Sequence, residues 1–338
     1  MNLWFQRGAA WASSKAKRNV KALNRKDIKK VAIIRHGAIG DQVLTRVFIK
    51  KAKEFFPNAT ITLSLIDTYS YGAPTDMADS VHIVYKKNNG KKSSFINRYK
   101  DIKSLGEHDI IFDLANTALS KWTCLLNKAS LRIGFPHRDI EKFYYDITVK
   151  RSDMVFEAEN MLHLLYILGA KISLSFDYGY EDYGLETEKP YIVYFTSASN
   201  EGKTWPKENF IKLGEKMAQN FSEYRHIFLD GLHEHEKCDD IIKVLNSYDN
   251  VEKQELLEYK EAMKFLSRAS MVVSNDTGVR NMAISVKTPT VGMFFATVPY
   301  RYWPREEIHQ IAYHSDGEIP SPDFVHQVCS KHIKDLLQ

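Results

Sequence analysis

Short apolar runs alternate with amphipathic segments along most of this chain. Residues 30–35 carry an apolar run and residues 60–65 alternate between polar and apolar, patterns that are typical of strands in a sheet. Residues 41–55 repeat their apolar positions at helical spacing instead, and Pro57-Asn58 ends that repeat. Strands that alternate with helices predict a doubly wound α/β fold with a mainly parallel sheet.

The alternation runs through two series. The first series adds strands at 81–85 and 109–114 and a helix at 154–168. A polar, aromatic and acidic stretch then predicts a linker at 173–189. The second series predicts strands at 191–195, 225–230, 270–274 and 289–295, and helices at 207–220, 233–246, 259–268, 278–286 and 321–337. The predicted organisation is a basic leader 1–30, a first domain 31–172, the linker, a second domain 190–320 and a C-terminal helix 321–338.

Length and cysteine content limit the class of protein. A chain of 338 residues predicts about two domains. The three cysteines are scattered and form no CxxC or Cys/His cluster, so we expect neither a disulfide framework nor a zinc site. A reducing cytosol fits that usage best. The chain has no apolar run long enough to span a membrane and no secretory signal pattern at its start, so we expect a cytoplasmic protein.

The net charge of +5 is concentrated in two places. Residues 1–30 hold nine Lys and Arg against the single acid Asp27. Trp4 and Trp11 are seven residues apart and would share one face of a helix there. Such a segment suits an anionic membrane surface. The alternatives are a solvated leader or an arm that packs on its own domain.

The second basic run extends from Lys86 to Lys103 and is predicted to be a loop that runs into a helix. It lacks a recognisable RNA- or DNA-binding motif, so no nucleic-acid partner is predicted. Phosphorylated acceptors and lipid headgroups are its candidate partners, and a merely solvated loop is the alternative.

Two glycine-containing turns open predicted helices, one at His36–Asp41 and one at Ser274–Gly278. A helix start presents unpaired N–H groups and positive dipole charge, which suits phosphates, although an ordinary helix cap explains either turn alone. Asp41 is either an N-cap or a general base that takes a proton from an acceptor hydroxyl, and spacing alone favours the cap.

The stretch 196–206 follows a strand, precedes a helix and offers hydroxyls, backbone N–H groups and Lys203, as a diphosphate requires. It has neither the Walker spacing nor a GxGxxG dinucleotide fingerprint, which disfavours an NAD-dependent dehydrogenase. Glu234 follows another strand, where it would accept hydrogen bonds from a ribose or remain a solvated acid favoured by a helix dipole.

Three blocks together resemble glycosyltransferase family 9, the heptosyltransferases of the lipopolysaccharide inner core. The first block is similar to the family's R-x-x-x-x-G-D opening, the second to its phosphate loop and K-x-W-P, and the third to its D-T-G helix start and the strand after it. In this chain they are Arg35-His36-Gly37-Ala38-Ile39-Gly40-Asp41, then Ser197-Ala198-Ser199 with Lys203-Thr204-Trp205-Pro206, then Asn275-Asp276-Thr277-Gly278 with 289–294.

The resemblance implies a GT-B fold, with two Rossmann-like doubly wound lobes that face a central cleft. It implies inverting, metal-independent sugar transfer, with the acceptor in the N-terminal lobe and the donor in the C-terminal lobe. Asp41 becomes the general base, which reverses the preference from spacing. The donor would be met by Ser197, Ser199, Lys203, Glu234, Asp276, Thr277, Gly278, Arg280 and Asn281. The acceptor would be met by Gly40, Lys91, Lys92 and Arg98.

The implied reaction moves heptose from ADP-heptose to a phosphorylated inner-core acceptor of the Kdo-lipid A type, at the inner face of the cytoplasmic membrane. Two departures lie where the donor is expected. Asn281 occupies the position of the family's usual His, and Phe295 replaces a Gly. A GT-B transferase with another nucleotide sugar, or a non-catalytic nucleotide- or phosphoglycan-binding protein, is therefore the alternative.

Overall fold

The computed structural model describes residues 8–69, 71–88, 91–184 and 190–337, without the side chains of residues 69, 87, 88, 91 and 92. The chain divides into two compact units, Met1–Gly179 and Tyr180–Gln338. That division lies within the stretch 173–189, but Phe176 and Tyr178 are buried, and Tyr178 accepts a hydrogen bond from Arg46 of the same unit. The first residues of that stretch therefore pack on the first unit.

The first unit consists of nine strands and five helices among the described residues. The strands are β1 (Trp11–Ala12), β2 (Lys30–Ile34), β3 (Thr60–Ile66), β4 (Ser80–Val84), β5 (Lys87–Asn88), β6 (Lys91–Lys92), β7 (His108–Asp113), β8 (Ala129–Gly134) and β9 (Ile147–Thr148). The helices are α1 (Ser14–Lys21), α2 (Ile39–Phe55), α3 (Phe95–Lys103), α4 (Ala118–Leu126) and α5 (Glu157–Tyr166).

Seven of those strands form one sheet, in the order β1-β9-β8-β7-β2-β3-β4. Every neighbouring pair is parallel except β1 with β9. The strand order reverses between β2 and β7, and a ligand site in such a sheet lies beyond the carboxyl ends of the strands at that switch point. The remaining strands, β5 and β6, form a separate antiparallel hairpin before α3.

The second unit repeats this order. Its strands are β10 (Tyr191–Phe195), β11 (Arg225–Leu229), β12 (Val251–Gln254), β13 (Met271–Asn275), β14 (Thr290–Phe294) and β15 (His309–Tyr313). Its helices are α6 (Lys207–Asn220), α7 (Asp239–Leu245), α8 (Tyr259–Ser267), α9 (Gly278–Ser285) and α10 (Pro322–Leu336). The six strands form an all-parallel sheet in the order β12-β11-β10-β13-β14-β15. The switch point of this sheet lies between β10 and β13.

The basic leader is not one helix. Trp11 lies in β1, which pairs with Ile147–Thr148, and α1 follows with Ser13 as its N-cap. Trp11 therefore shares no helical face with Trp4, which lies outside the described residues. Because β1 gains ladder hydrogen bonds from β9, and Asn19 donates to the Ser130 carbonyl 3.1 Å away, the described part of the leader packs on its own domain.

The helix predicted at 233–246 is also shorter in the structure. A tight turn at Glu234–Glu236 precedes α7, which begins at Asp239. The Asp230 carboxylate accepts the Cys238 amide at 3.0 Å, and the Glu236 carboxylate accepts the His233 amide at 3.0 Å. These local bonds compete with helical pairing, so the helix starts later than the apolar spacing predicts.

Candidate active site

The switch point of the first unit is bridged by the guanidinium group of Arg35. Arg35 directly follows β2, and its Nη1 donates to the carbonyl of Leu114, which directly follows β7. The side chain is only 2% exposed. A permanent positive charge is therefore buried where the strand order reverses.

Two carboxylates converge on that charge. Arg35 Nη2 lies 2.6 Å from Asp41 Oδ1 and 3.1 Å from Glu157 Oε1. Glu157, the first residue of α5, is fully buried and also accepts from Nε of Arg151 at 3.2 Å. Asp41 is the exposed member of this cluster, at 26%. The arrangement holds one carboxylate in a fixed orientation at the surface, as a general base requires.

Asp41 is not the N-cap that its spacing favours. Helix α2 begins at Ile39 with Ala38 as the N-cap, and no side chain caps it. The Asp41 carboxylate instead lies against the backbone of Gly37, where a Cβ atom would come within 2.7 Å of Oδ2. Glycine is therefore required at position 37 for this carboxylate orientation.

The histidine beside this cluster is neutral. His36 Nε2 lies 3.2 Å from Ser64 Oγ, which in turn lies 2.8 Å from His82 Nδ1. Burial lowers the pKa of His36 to about 3, and the positive charges of His82 and Lys86 act in the same direction. At neutral pH His36 therefore adds no charge to the cluster of arginines and carboxylates described above.

The switch point of the second unit is joined by Asn275, the last residue of β13. Its Nδ2 donates to the carbonyl of Thr196 at 3.0 Å, and its Oδ1 accepts the Trp205 amide at 2.9 Å. Asn275 is fully buried. One side chain thus fixes the loop after β10 against the end of β13.

A lysine and a helix start lie at the same strand ends. Lys203 Nζ lies 3.2 Å from Asp276 Oδ2, and Thr297 donates its hydroxyl to the same oxygen at 2.8 Å. Lys203 is 29% exposed whereas Asp276 is 8% exposed. Thr277 is the N-cap of α9, so the positive end of that helix dipole lies beside the lysine. This combination suits an anionic ligand.

The family model for glycosyltransferase family 9 (heptosyltransferase) matches residues 98–333, more than two thirds of the chain. The chain belongs to glycosyltransferase family 9. It is therefore a glycosyltransferase.

Individual relatives agree with this family assignment. Lipopolysaccharide heptosyltransferase 1 of Campylobacter coli is 24% identical over 312 residues, which cover 83% of this chain and 88% of that protein. The E. coli heptosyltransferase WaaC with ADP-2-deoxy-2-fluoro heptose superposes with a TM-score of 0.72 at 16% identity, over 89% of this chain and 99% of that one. The E. coli ADP-heptose lps heptosyltransferase II superposes with a TM-score of 0.71 at 15% identity, over 91% of this chain and 100% of that one. The fold is of the GT-B type predicted, built from two Rossmann-like units.

Two predicted donor residues of this family 9 enzyme are packed inside the second unit. Arg280 Nη1 donates to the Tyr302 carbonyl at 2.5 Å, and the guanidinium lies 5.3 Å from the centre of the Phe294 ring. Burial lowers the pKa of Arg280 to about 10. A Cβ atom at Gly292 would meet Arg280 Nε at 2.4 Å, so the glycine makes room for it. Asn281 is buried, and its Oδ1 accepts no hydrogen bond from the residues that the structure describes.

The other predicted donor residues differ in exposure. Ser197 is buried beside Asn275, which donates to its carbonyl at 3.4 Å, whereas Ser199 is exposed. Gly278 is the first residue of α9. Glu234 is exposed in the turn after β11, the strand next to β10, and so lies at the same edge of the sheet as Lys203. Their contacts with a donor stay predictions.

The predicted acceptor residues are spread over the first unit. Gly40 is buried in the first turn of α2, next to Asp41. Arg98 lies on α3 and donates through Nη2 to the Ser93 carbonyl at 3.4 Å. Lys91 and Lys92 form β6, but their side chains lie outside what the structure describes. Of the predicted acceptor residues whose side chains the structure describes, Gly40 is the one adjacent to Asp41, and the contacts of all four with an acceptor stay predictions.

Three residues of the two clusters were missed by sequence reasoning. Glu157 and Arg151 complete the Arg35 cluster, and Thr297 completes the Asp276 cluster. Glu157 lies 122 residues from Arg35 in the sequence and in no motif, so no local signal could have found it. Thr297 lies in the stretch where this chain departs from the family pattern. That departure was the local signal that could have drawn attention to it.

The described residues include no group of three or more His, Cys, Asp or Glu side chains arranged to hold a metal ion. Likewise, none of the helices that the structure describes is both long and apolar enough to cross a membrane. Metal independence and the membrane partner therefore stay predictions.

Proposed function

We propose that this enzyme transfers heptose from ADP-heptose to a phosphorylated inner-core acceptor of the Kdo-lipid A type. The observation that carries the proposal is the Asp41 carboxylate, which Arg35 orients at the first switch point while leaving it 26% exposed. The names of the relatives support the sugar, because they act as heptosyltransferases and one was solved with ADP-2-deoxy-2-fluoro heptose.

Asp41 would accept the proton of an acceptor hydroxyl as its oxygen attacks the anomeric carbon of the donor. The bond between that carbon and the diphosphate oxygen breaks as the new glycosidic bond forms, so the configuration inverts. ADP leaves with the electron pair of the broken bond.

The second unit would bind the leaving diphosphate without a metal. Lys203 and the N-terminus of α9 supply positive charge, and Thr277, Gly278, Ser197 and Ser199 supply hydroxyl and N–H donors. Lys203 would then exchange its Asp276 partner for phosphate oxygens, which its exposed position permits. Glu234 would accept hydrogen bonds from the ribose.

The membrane partner is proposed on charge. The described leader carries exposed cations on α1, and the basic run 86–103 continues along the outside of α3. These would hold the enzyme peripherally at the anionic inner face of the cytoplasmic membrane, where a lipid-linked acceptor is presented. The domain organisation proposed is the one predicted above, with the acceptor on the first domain and the nucleotide sugar on the second.

The test is calorimetry with ADP, UDP and GDP in metal-free buffer, followed by transfer from ADP-heptose to a Kdo-lipid A acceptor. Selective ADP binding together with transfer is the expected result. Preference for UDP or GDP would instead assign another nucleotide sugar, an outcome that the departures at Asn281 and Phe295 make the specific alternative. Donor binding without transfer to any inner-core acceptor would remove the acceptor assignment.

A further inference from the structure

An apolar pocket of about 840 Å³ lies between α3 and α4 in the first unit. Its volume is within the range of small-molecule sites. Most of its lining is aromatic or aliphatic, and the apolar lining residues include Phe95, Tyr99, Ile102, Leu119, Trp122 and Leu126. A pocket of this composition binds hydrocarbon in preference to a sugar.

The mouth of the pocket exposes large apolar side chains. Phe95 is 85% exposed, and Tyr99 and Trp122 are each 46% exposed. Their neighbour Ile96 is also exposed but does not line the pocket. Contiguous exposed apolar surface of this kind marks a binding site in a soluble domain.

The charged side chains among the described lining residues are both cationic, Lys86 and Arg98. The carboxylates nearby, Asp67 and Asp101, accept the backbone amides of Lys86 and Tyr85 at 2.9 and 3.2 Å. The lining itself therefore places two cationic side chains beside an apolar interior. That pairing complements an amphiphile with an anionic headgroup and a hydrocarbon chain.

The pocket lies at the same edge of the sheet as the proposed base. Thr68, Lys86 and Ala118 line it, and they follow the carboxyl ends of β3, β4 and β7. Asp41 follows the carboxyl end of β2 in this parallel sheet. A ligand that presents its hydroxyl to Asp41 can therefore extend along one edge towards the pocket.

We propose that this pocket takes one acyl chain of the acceptor's own lipid, with Lys86 and Arg98 beside its phosphate. This inference rests on the proposed function, because it names the part of the acceptor that the first unit binds. A membrane phospholipid that is not the acceptor would satisfy the same chemistry, and the test separates the two sources.

The direct test measures binding of alkyl phosphates, below their micelle concentrations, by calorimetry with the full chain. Burial of each methylene group predicts about fourfold tighter binding per added carbon from octyl to dodecyl phosphate. Phe95→Glu is expected to weaken dodecyl phosphate binding at least tenfold, while Ile96→Glu, which adds the same charge one residue along α3, changes it less than twofold. Binding of 12-bromododecyl phosphate should quench the tryptophan fluorescence of the natural chain, because Trp122 lines the pocket. The quenching should be lost in Trp122→Phe, which lacks that tryptophan.

The acceptor arm compares KM for an acylated and a deacylated acceptor. A lower KM for the acylated form, lost in Phe95→Glu and retained in Ile96→Glu, supports the proposal. Equal KM values despite alkyl phosphate binding would overturn the acceptor assignment in favour of a membrane lipid. Binding that ignores chain length would overturn the pocket itself. Absence of transfer to either acceptor would reject the proposed function, and alkyl phosphate binding would still decide the pocket independently.

Discussion

Each unit carries an ion pair at the switch point of its sheet, but the two pairs differ in which partner is buried. In the first unit the cation is buried, with Arg35 at 2% exposure, and its acid Asp41 is 26% exposed. In the second unit the acid is buried, with Asp276 at 8%, and its cation Lys203 is 29% exposed. The first switch point therefore offers a negative charge and the second a positive one.

The two pairs also differ in stiffness. Arg35 divides its planar fork between a strand end and two carboxylates, so Asp41 has little freedom. Lys203 is a single ammonium on a flexible side chain, and it pairs with Asp276. Burial of one partner therefore decides what each Rossmann edge presents, a held carboxylate in the first unit and a more exposed ammonium in the second.

The largest effect is expected from removal of the fixed carboxylate. Asp41→Asn should lower turnover by about 10²- to 10⁴-fold without weakening ADP binding, because general-base catalysis is lost while the fold is kept. Asp76→Asn is the matched control, because the Asp76 carboxylate likewise pairs with a buried arginine. That arginine is Arg46 on α2, 2.7 Å away. Steady-state kinetics should show near-normal turnover in the control, and normal turnover in Asp41→Asn would remove the base from the mechanism.

The second prediction tests whether the orientation of that carboxylate matters. Gly37→Ala places a methyl group against Asp41 Oδ2, and a displacement of this order should cost about 100-fold in turnover. The neighbouring variant Ala38→Ser adds one atom at the exposed N-cap and should leave turnover within about twofold. Full activity in Gly37→Ala would mean that the first unit needs only a negative charge and no fixed geometry.

The third prediction concerns the more exposed ammonium of the second unit. Lys203→Met should weaken ADP binding by about 10- to 100-fold, the value of one or two charge-assisted hydrogen bonds. Lys207→Met is its control, because that exposed lysine pairs with Asp240 at 3.0 Å on the same unit. Calorimetry that gave equal affinities for the two variants would show that α9 binds the diphosphate without the lysine.

The smallest effect is a pH dependence of stability from His36. Its native pKa of about 3 lies below its ordinary value of 6.5, so the unfolded chain binds the proton preferentially between these values. Stability is complete above pH 6.5 and is lost as the pH falls below it, by about 2 kcal/mol at pH 5.

His36→Gln isolates this contribution, because it supplies a neutral hydrogen-bonding group. The difference in unfolding free energy between the natural chain and the variant, from urea denaturation, should change by about 2 kcal/mol between pH 7 and pH 5. His309 in the second unit has its pKa lowered by burial to about 3 as well, so His309→Gln should show a change of similar size. A constant difference for either variant would mean that its histidine has the same pKa in the native state as in the unfolded chain.

Apolar periodicity predicted most of the elements that build the two sheets. Strand β10 and helix α6 have the predicted bounds, and β2, β3 and α2 differ from them by one or two residues. Strands β8, β12 and β15 and helix α4 were not predicted, because each is short or carries many polar residues. Pairing with neighbouring strands stabilises the three strands, and packing against β7 and α3 stabilises α4, so both are tertiary effects.

The candidate site divides in the same way. The turns at 36–41 and 274–278, and the lysine between them in the loop after β10, were identified from local sequence alone. The cap interpretation of Asp41 was wrong because α2 begins two residues earlier, at Ile39, which places Asp41 inside the first turn, where it pairs with Arg35. The apolar pocket was missed entirely, since only the packing of α3 against α4 creates it.

The sequence by itself determined the alternation of strands and helices, the family blocks and the turns that precede α2 and α9, because these depend on spacing over a few residues. Only the tertiary structure decided which charge of each pair is buried and that Glu157 joins Arg35, because burial depends on packing and the two residues of that ion pair lie 122 positions apart in the sequence. The chemical difference between the two switch points therefore comes from long-range packing acting on short local motifs.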